Sequence, residues 1–129
     1  MSLRSPLGRV RGLGCAKEGA SHFWAQRMTA LALVPLAIWF VISLVSVLGA
    51  DHAAVVAWIG SPVVAGLLIL LIAATFYHGF LGLQVVIEDY IHGEALKLLV
   101  LVVVKGASWF LAVVGVVSVL ALLFDGRAV

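Results

Sequence analysis

The residues with the clearest chemical potential are a histidine and an acid–phenol pair that share one largely apolar segment. His78 has mostly apolar neighbours on both sides, and Asp89 and Tyr90 follow eleven and twelve residues later. An ionisable side chain inside an apolar span is costly to bury and is by default a functional-site candidate. In a helix, eleven residues make three turns and about 20°, so His78 and Asp89 share one face, about 16 Å apart along the axis. The pattern predicts a ligand-type residue in mid-membrane, with an acid and a phenol at the interface.

The neighbours of His78 favour a flat cofactor. Gly79 and Gly82 remove side-chain bulk beside the ring, which lets a planar ligand approach the backbone. A neutral imidazole is an axial ligand of haem iron, and two of them make a six-coordinate electron-transfer centre. Since only one histidine falls at membrane depth, a bis-histidine haem needs its second ligand from another chain. The alternative for His78 is a hydrogen bond to a neighbouring helix.

Further polar residues are candidates for binding at the same mouth of the membrane. Arg27 suits a carboxylate such as a haem propionate, although it would also serve as a simple anchor of its helix. His22 and Ser21 lie one to two turns earlier and are expected to line the same opening. Tyr90 can donate a hydrogen bond to a quinone carbonyl, and Asp89 can support proton delivery. Both are also ordinary residues at a membrane interface.

Composition assigns these residues to an integral membrane protein. The chain has 129 residues, of which 64% are hydrophobic and only 11% charged, whereas about a quarter of a soluble domain is charged. We predict an all-α fold in a single domain, with membrane helices at residues 28–48, 63–87 and 98–124, each long enough for a hydrocarbon core of about 30 Å. Pro35 is expected to kink the first helix. A lone cysteine excludes an internal disulfide.

The placement of charge predicts the orientation. Residues 1–27 carry five basic residues and one acid, a net charge of +4, and such an arm is expected to stay in the cytoplasm. Residues 49–62 then form an outward loop, residues 88–97 form a cytoplasmic loop, and the C-terminus is periplasmic. Arg27 and Tyr90 consequently lie on the cytoplasmic side.

Two segments resemble the hydrophobic membrane anchor of succinate dehydrogenase, respiratory complex II. One is residues 77–90, with His78 eleven residues before the acid–phenol pair; the other is residues 22–30, which are similar to that family's entry into its first helix. Residues 9–18 look most like alphaproteobacterial members. The signature of the second anchor of that enzyme, a histidine four residues before Gly-x-Arg-His, is absent, which favours the hydrophobic anchor. The resemblance covers about residues 19–124.

The resemblance implies a four-subunit enzyme of the bacterial inner membrane and the tricarboxylic acid cycle. A flavoprotein would oxidise succinate, an iron–sulfur protein would carry the electrons, and this chain and a cytochrome b556 chain would share haem b in a multi-helix bundle. His78 would be the axial ligand, Arg27 would lie near the propionates, and Tyr90 with Asp89 would belong to the ubiquinone site. The chain would thus be a non-catalytic anchor through which electrons pass from succinate to the quinone pool.

Two alternatives stay open on the residues alone. A fumarate reductase anchor fits the same motifs. A small transporter or channel component would use His78 and Lys105 along a proton or ion path. Transporters often carry an acid in mid-membrane, however, and none of the six acidic residues falls there.

Overall fold

The computed structural model describes residues 16–125, and this part of the chain contains four α-helices and no strand. We label them α1 (Ala16–Ser46), α2 (His52–Ile59), α3 (Pro62–Tyr90) and α4 (Glu94–Asp125). The three longer helices are long and apolar enough to cross a membrane. The predicted all-α architecture with three spans is confirmed.

α1 joins the end of the basic arm and the first span into one helix. It begins at Ala16 rather than at residue 28, and the part apolar enough to be a candidate span begins at Ala20. The expected start was late because hydropathy marks the edge of the hydrocarbon, whereas backbone hydrogen bonds continue as long as the chain can form them. Pro35 lies inside α1, and the kink expected there stays a prediction.

Both expected loops are shorter than predicted. Residues 49–62 contain α2, which starts because the Asp51 side chain accepts a hydrogen bond from the backbone N–H of Ala54 at 2.8 Å. At the other end, α3 continues to Tyr90 and α4 begins at Glu94, so only residues 91–93 connect them. The prediction of a loop over residues 88–97 is therefore wrong.

The last turn of α3 stays helical although it is strongly polar. Gln84 Nε2 donates a hydrogen bond to Glu88 Oε1 at 2.8 Å, a contact between side chains four residues apart that stabilises a helix. The N–H of Ile91 then caps the helix on the carbonyl of Ile87 at 3.0 Å. Asp89 is therefore a helical residue, with its position on the α3 face defined by the helix.

α3 is the central helix of the described part. It packs against α1 on one side and α4 on the other, whereas no close packing joins α1 to α4 within residues 16–125. Ala65, Leu68 and Val119 form the buried cluster between these helices. Trp39 and Phe40 of α1 pack against the same cluster. The three spans therefore form a layer of antiparallel neighbours.

The layer leaves most of its apolar surface uncovered. Only five hydrophobic residues of the described part are buried, and just 11% of the most apolar stretch of α3 is buried inside the chain. Apolar surface on this scale marks contact with lipid or with other protein. The helices form within this chain, while their exposed apolar faces are left to pack against lipid or other protein.

Candidate functional site

His78 lies on the face of α3 that packs against α1. Its Nδ1 atom is 2.9 Å from Thr29 Oγ1, and its Nε2 atom is 3.5 Å from Gln26 Nε2. The hydrogen bond to a neighbouring helix, one of the two interpretations of this histidine, is therefore present. The ring is only half-buried, so the described residues 16–125 do not enclose it.

The partners of His78 belong to a polar strip on α1. His22, Gln26 and Thr29 are four and three residues apart, which is the spacing of one helix face. His22 was predicted from the sequence, whereas Gln26 and Thr29 were missed. The signal that would have found them is this spacing of polar side chains at the start of an otherwise apolar helix.

A cavity of about 440 Å³ lies between α1 and α3 beside this strip. Its lining residues come from the first turns of the α1 span and from the last third of α3: His22, Phe23, Gln26, Arg27, Gly82 and Val85. A Cβ atom added to Gly82 would lie 3.6 Å from Gln26 Nε2, and one added to Gly79 would meet nothing within 4 Å. Gly79 therefore leaves open space beside His78, whereas Gly82 allows the close approach of the Gln26 side chain.

Two buried polar atoms at this cavity, His22 Nε2 and Gln26 Oε1, have no hydrogen-bond partner among the described residues 16–125. Buried polar atoms in folded proteins nearly always have a partner, because an unsatisfied one costs about 1–3 kcal/mol. Their presence beside an open space indicates that a group other than the described residues 16–125 completes the site. A ligand with polar groups or a partner protein meets that requirement.

Arg27 gives the mouth of this cavity a positive charge. Its side chain is exposed, and its guanidinium carbon lies 4.6 Å from the centroid of the Phe23 ring, a cation–π geometry that holds the group in place. An exposed guanidinium of this kind can donate to an anion. Ser21, predicted to share this opening, is exposed and is not among the residues that line the cavity.

Asp89 and Tyr90 lie in the last turn of α3, away from His78. Both are exposed, Tyr90 by 79%. Val85 lines the cavity and Asp89 follows it by one turn, so on the same face of α3 the cavity lies between His78 and Asp89. His78 and Asp89 therefore lie on the same face of α3, with the cavity between them.

Lys105, a residue of α4, faces a different side of α3 from His78. Its amino group lies 5.9 Å from the centroid of the Phe80 ring, and Phe80 is turned by about 200° from His78 around the helix axis. Between α3 and α4 on that side lies an almost wholly apolar groove of about 590 Å³. Lys105 and His78 thus do not face a common path within the described chain.

Neither this groove nor the α1–α3 cavity holds a complete metal site. In residues 16–125 no three His, Cys, Asp or Glu side chains come together as ligands. An iron bound at His78 would therefore depend on a flat ligand that supplies most of the coordination, and on a further residue from another chain. The residues present fit a shared haem. His78 supplies one imidazole, and Gly79 leaves space beside it. At the edge of the site, His22 and Gln26 offer buried polar atoms and Arg27 offers a positive charge.

Comparison with known proteins gives consistent matches. The chain matches the family of succinate dehydrogenase/fumarate reductase transmembrane subunits over residues 1–124. It is 30% identical to the succinate dehydrogenase hydrophobic membrane anchor subunit of Rickettsia bellii, over 90% of this chain and 93% of that one. The proteins of the same name from Paracoccus denitrificans and Rickettsia conorii are 31% and 27% identical, over 72% and 95% of this chain and 72% and 96% of theirs.

No solved structure gives a significant match to this chain. The description of the fold therefore rests on the helices given above, and the relationship to known families rests on sequence similarity. The family match covers nearly the whole chain, and the three spans agree with a multi-pass membrane protein. The chain belongs to the succinate dehydrogenase/fumarate reductase transmembrane subunit family, as a hydrophobic membrane anchor of the alphaproteobacterial type and a non-catalytic part of its complex.

Proposed function

We propose that this chain and a second membrane anchor hold haem b in the membrane part of a succinate:ubiquinone oxidoreductase. The observation that supports this most is His78, half-buried on the inner face of α3. Its neighbour Gln26 lines a cavity with two buried polar atoms that lack a partner among the described residues. Haem supplies a one-electron carrier within the bilayer, between the succinate-oxidising part of the complex and the quinone. His78 would provide its Nε2 atom as the axial ligand from this chain.

Arg27 and His22 would hold the polar edge of the haem. A guanidinium pairs bidentately with a carboxylate such as a propionate, and Arg27 lines the cavity mouth with its donors exposed. The buried Nε2 of His22 lacks a partner within the described part of the chain and would gain one from the same group. Ser21 stays a weaker candidate, because it precedes His22 without lining the cavity.

Tyr90 and Asp89 would contribute to the ubiquinone-reduction site. A phenol hydroxyl donates a hydrogen bond to a quinone carbonyl, and a carboxylate near water passes protons to the reduced ring. Both side chains are exposed at the end of α3, where a ligand or a partner protein can reach them. Their position one turn beyond the cavity would put the quinone close to the haem edge.

The proposed complex contains a flavoprotein, an iron–sulfur protein and a cytochrome b556 chain, in the inner membrane. The relatives are named as anchors of succinate dehydrogenase, which favours succinate oxidation over fumarate reduction. A transporter that uses His78 and Lys105 gains no support, since the two residues lie on different sides of α3. The described acids also lie at helix ends: Asp51, Glu88, Asp89, Glu94 and Asp125.

The visible spectrum of the assembled complex tests the proposal. In His78→Ala membranes we expect the b-type haem spectrum to be lost or strongly altered, because the axial ligand from this chain is removed. His52→Ala is the matched control: His52 is exposed at the start of α2, and its removal should leave the spectrum unchanged. A wild-type spectrum in His78→Ala would contradict the haem assignment.

A further inference from the structure

One hydroxyl oxygen, Thr29 Oγ1, has three polar neighbours. It lies 2.8 Å from the carbonyl oxygen of Ala25, 3.1 Å from that of Gln26, and 2.9 Å from Nδ1 of His78. A hydroxyl has one proton to donate and two lone pairs that accept. Carbonyl oxygens can only accept, and a threonine within a helix commonly donates to the carbonyl four residues earlier. The Thr29 proton is therefore directed to Ala25, and a lone pair faces His78.

This arrangement determines which nitrogen of His78 carries the proton. Because Thr29 offers His78 an acceptor, Nδ1 must be the protonated nitrogen and donate. In a neutral imidazole the other nitrogen, Nε2, then carries a free lone pair. The amide nitrogen of Gln26, at 3.5 Å from Nε2, is a donor and so also faces an acceptor. The Thr29 contact selects this tautomer, and the Gln26 contact is compatible with it.

We propose that Thr29 is a positioning residue, which holds the Nδ1-protonated tautomer of His78 and turns its Nε2 lone pair toward the haem iron. The inference rests on the proposed role of His78 and adds the residue that orients it. A metal-binding histidine generally donates its second N–H to a partner, which fixes the ring and raises the basicity of the ligating nitrogen. In this chain that partner is a hydroxyl on the neighbouring helix.

Thr29 suits this role better than Gln26. The Gln26 amide lies at Nε2 itself, so it has to make way for any ligand at that nitrogen. Thr29 contacts the opposite nitrogen and keeps its contact when Nε2 is occupied. Its hydroxyl also donates to the Ala25 carbonyl of its own helix at 2.8 Å, which makes Thr29 a fixed reference for the ring.

The test compares hydroxyl variants in the assembled complex. Thr29→Val keeps the side-chain shape and replaces the hydroxyl by a methyl group. Thr29→Ala removes both the hydroxyl and the methyl group, and Thr29→Ser keeps the hydroxyl alone. Ser118→Ala is the matched control, because the Ser118 hydroxyl donates to the carbonyl of Val114 at 2.8 Å, within its own helix. The readouts are haem content of the purified complex and its midpoint potential by redox titration.

Thr29→Val and Thr29→Ala should raise the midpoint potential and weaken haem retention. Without an acceptor at Nδ1, Nε2 is a poorer donor and stabilises the oxidised iron less. Loss of such a partner typically weakens metal binding by about 10–100-fold. Thr29→Ser and Ser118→Ala should keep the wild-type potential. If Thr29→Val does not assemble, the comparison of Thr29→Ala with Thr29→Ser decides the question.

The outcomes separate this inference from the proposal on which it rests. If both hydroxyl-free variants keep the potential and haem content of Ser118→Ala, Thr29 does not position the ligand. If haem is lost in His78→Ala but unaffected in Thr29→Val, only the role of Thr29 is overturned. If haem survives in His78→Ala, the haem role of this histidine itself is overturned.

Discussion

At the scale of single residues, the phenol of Tyr90 provides a sharp test of the proposed quinone site. Tyr90→Phe removes one hydroxyl and almost no volume, so assembly and haem binding should survive. A lost hydrogen bond to the quinone costs about 1 kcal/mol or slightly more, which is roughly tenfold in quinone-reductase efficiency. Succinate oxidation by an artificial acceptor that takes electrons before the membrane should remain normal. The ratio of the two activities in the same membranes is the measurement.

Tyr77→Phe is the control for that experiment. Tyr77 is a second phenol of α3, but it lines the apolar groove between α3 and α4 rather than the helix end, so the ratio should not change. Asp89→Asn tests proton delivery at the same place and should also lower quinone reduction selectively. A ratio unchanged in both Tyr90→Phe and Asp89→Asn would place the quinone elsewhere.

The candidate site was predictable from the sequence only in part, for a physical reason that also lies at this scale. An ionisable ring in an apolar span is visible in any sequence, so His78 was found. Its partners Thr29 and Gln26 were missed, because contact between side chains 49 and 52 residues apart depends on how α1 is aligned along α3. That register is set by packing between the helices: the spacing of polar residues marks a face of α1, but it does not tell which of them meet His78.

At the scale of elements, the contact between α3 and α4 depends on Gly115. A Cβ atom there would lie 3.3 Å from two carbon atoms of the Ile72 side chain, which is closer than ordinary contact. Gly115→Leu should therefore push the helices apart and cost about 1–3 kcal/mol, as overpacking of a close interface generally does. The thermal stability of the purified complex should fall measurably.

Gly106→Leu is the matched substitution on the same helix. A Cβ atom at Gly106 meets nothing within 4 Å in this chain, so the change adds the same volume without a clash against α3. We expect Gly106→Leu to leave the α3–α4 contact intact. An equal loss of stability in both variants would argue against a close approach at Gly115.

The helices themselves could be predicted, whereas their ends could not. Long apolar runs indicate membrane spans because apolar side chains are favoured in hydrocarbon, and these spans are helical because an unsatisfied backbone is too costly there. The same runs say little about where a helix stops outside the hydrocarbon. α1 begins at Ala16 and α3 ends at Tyr90, each beyond the apolar limit, since polar side chains at an interface stay solvated while the backbone remains helical. α2 was missed because eight residues give too short a pattern to distinguish from a loop.

At the scale of the whole molecule, the open layer of three helices explains why this chain works as part of a complex. α3 is covered on two sides, by α1 and α4, while large apolar side chains such as Leu31, Ile42 and Leu99 remain exposed. At the α1–α3 cavity, two buried polar atoms lack a partner among residues 16–125. A second membrane anchor beside this cavity would cover the apolar surface and supply such a partner.

The orientation of this layer in the membrane is the remaining prediction, and it follows from charge and connectivity together. The basic arm with its net charge of +4 precedes the first span, and bases near a span are retained in the cytoplasm. Gln26 lies near Gly82, so the α1 entry and the end of α3 share that side. α4 then runs from residues 91–93 back across the membrane to Asp125. The N-terminus is expected inside and the C-terminus outside.

Two reporter fusions measure that orientation directly. A reporter active only in the periplasm should be active after Val129 and inactive before Met1, and a reporter active only in the cytoplasm should give the reverse. The prediction has a functional consequence, because only this orientation puts Arg27 and Tyr90 on the side where a soluble succinate-oxidising unit can dock. Reversed activities in the two fusions would contradict the orientation, and the electrons would then have to enter from the periplasm.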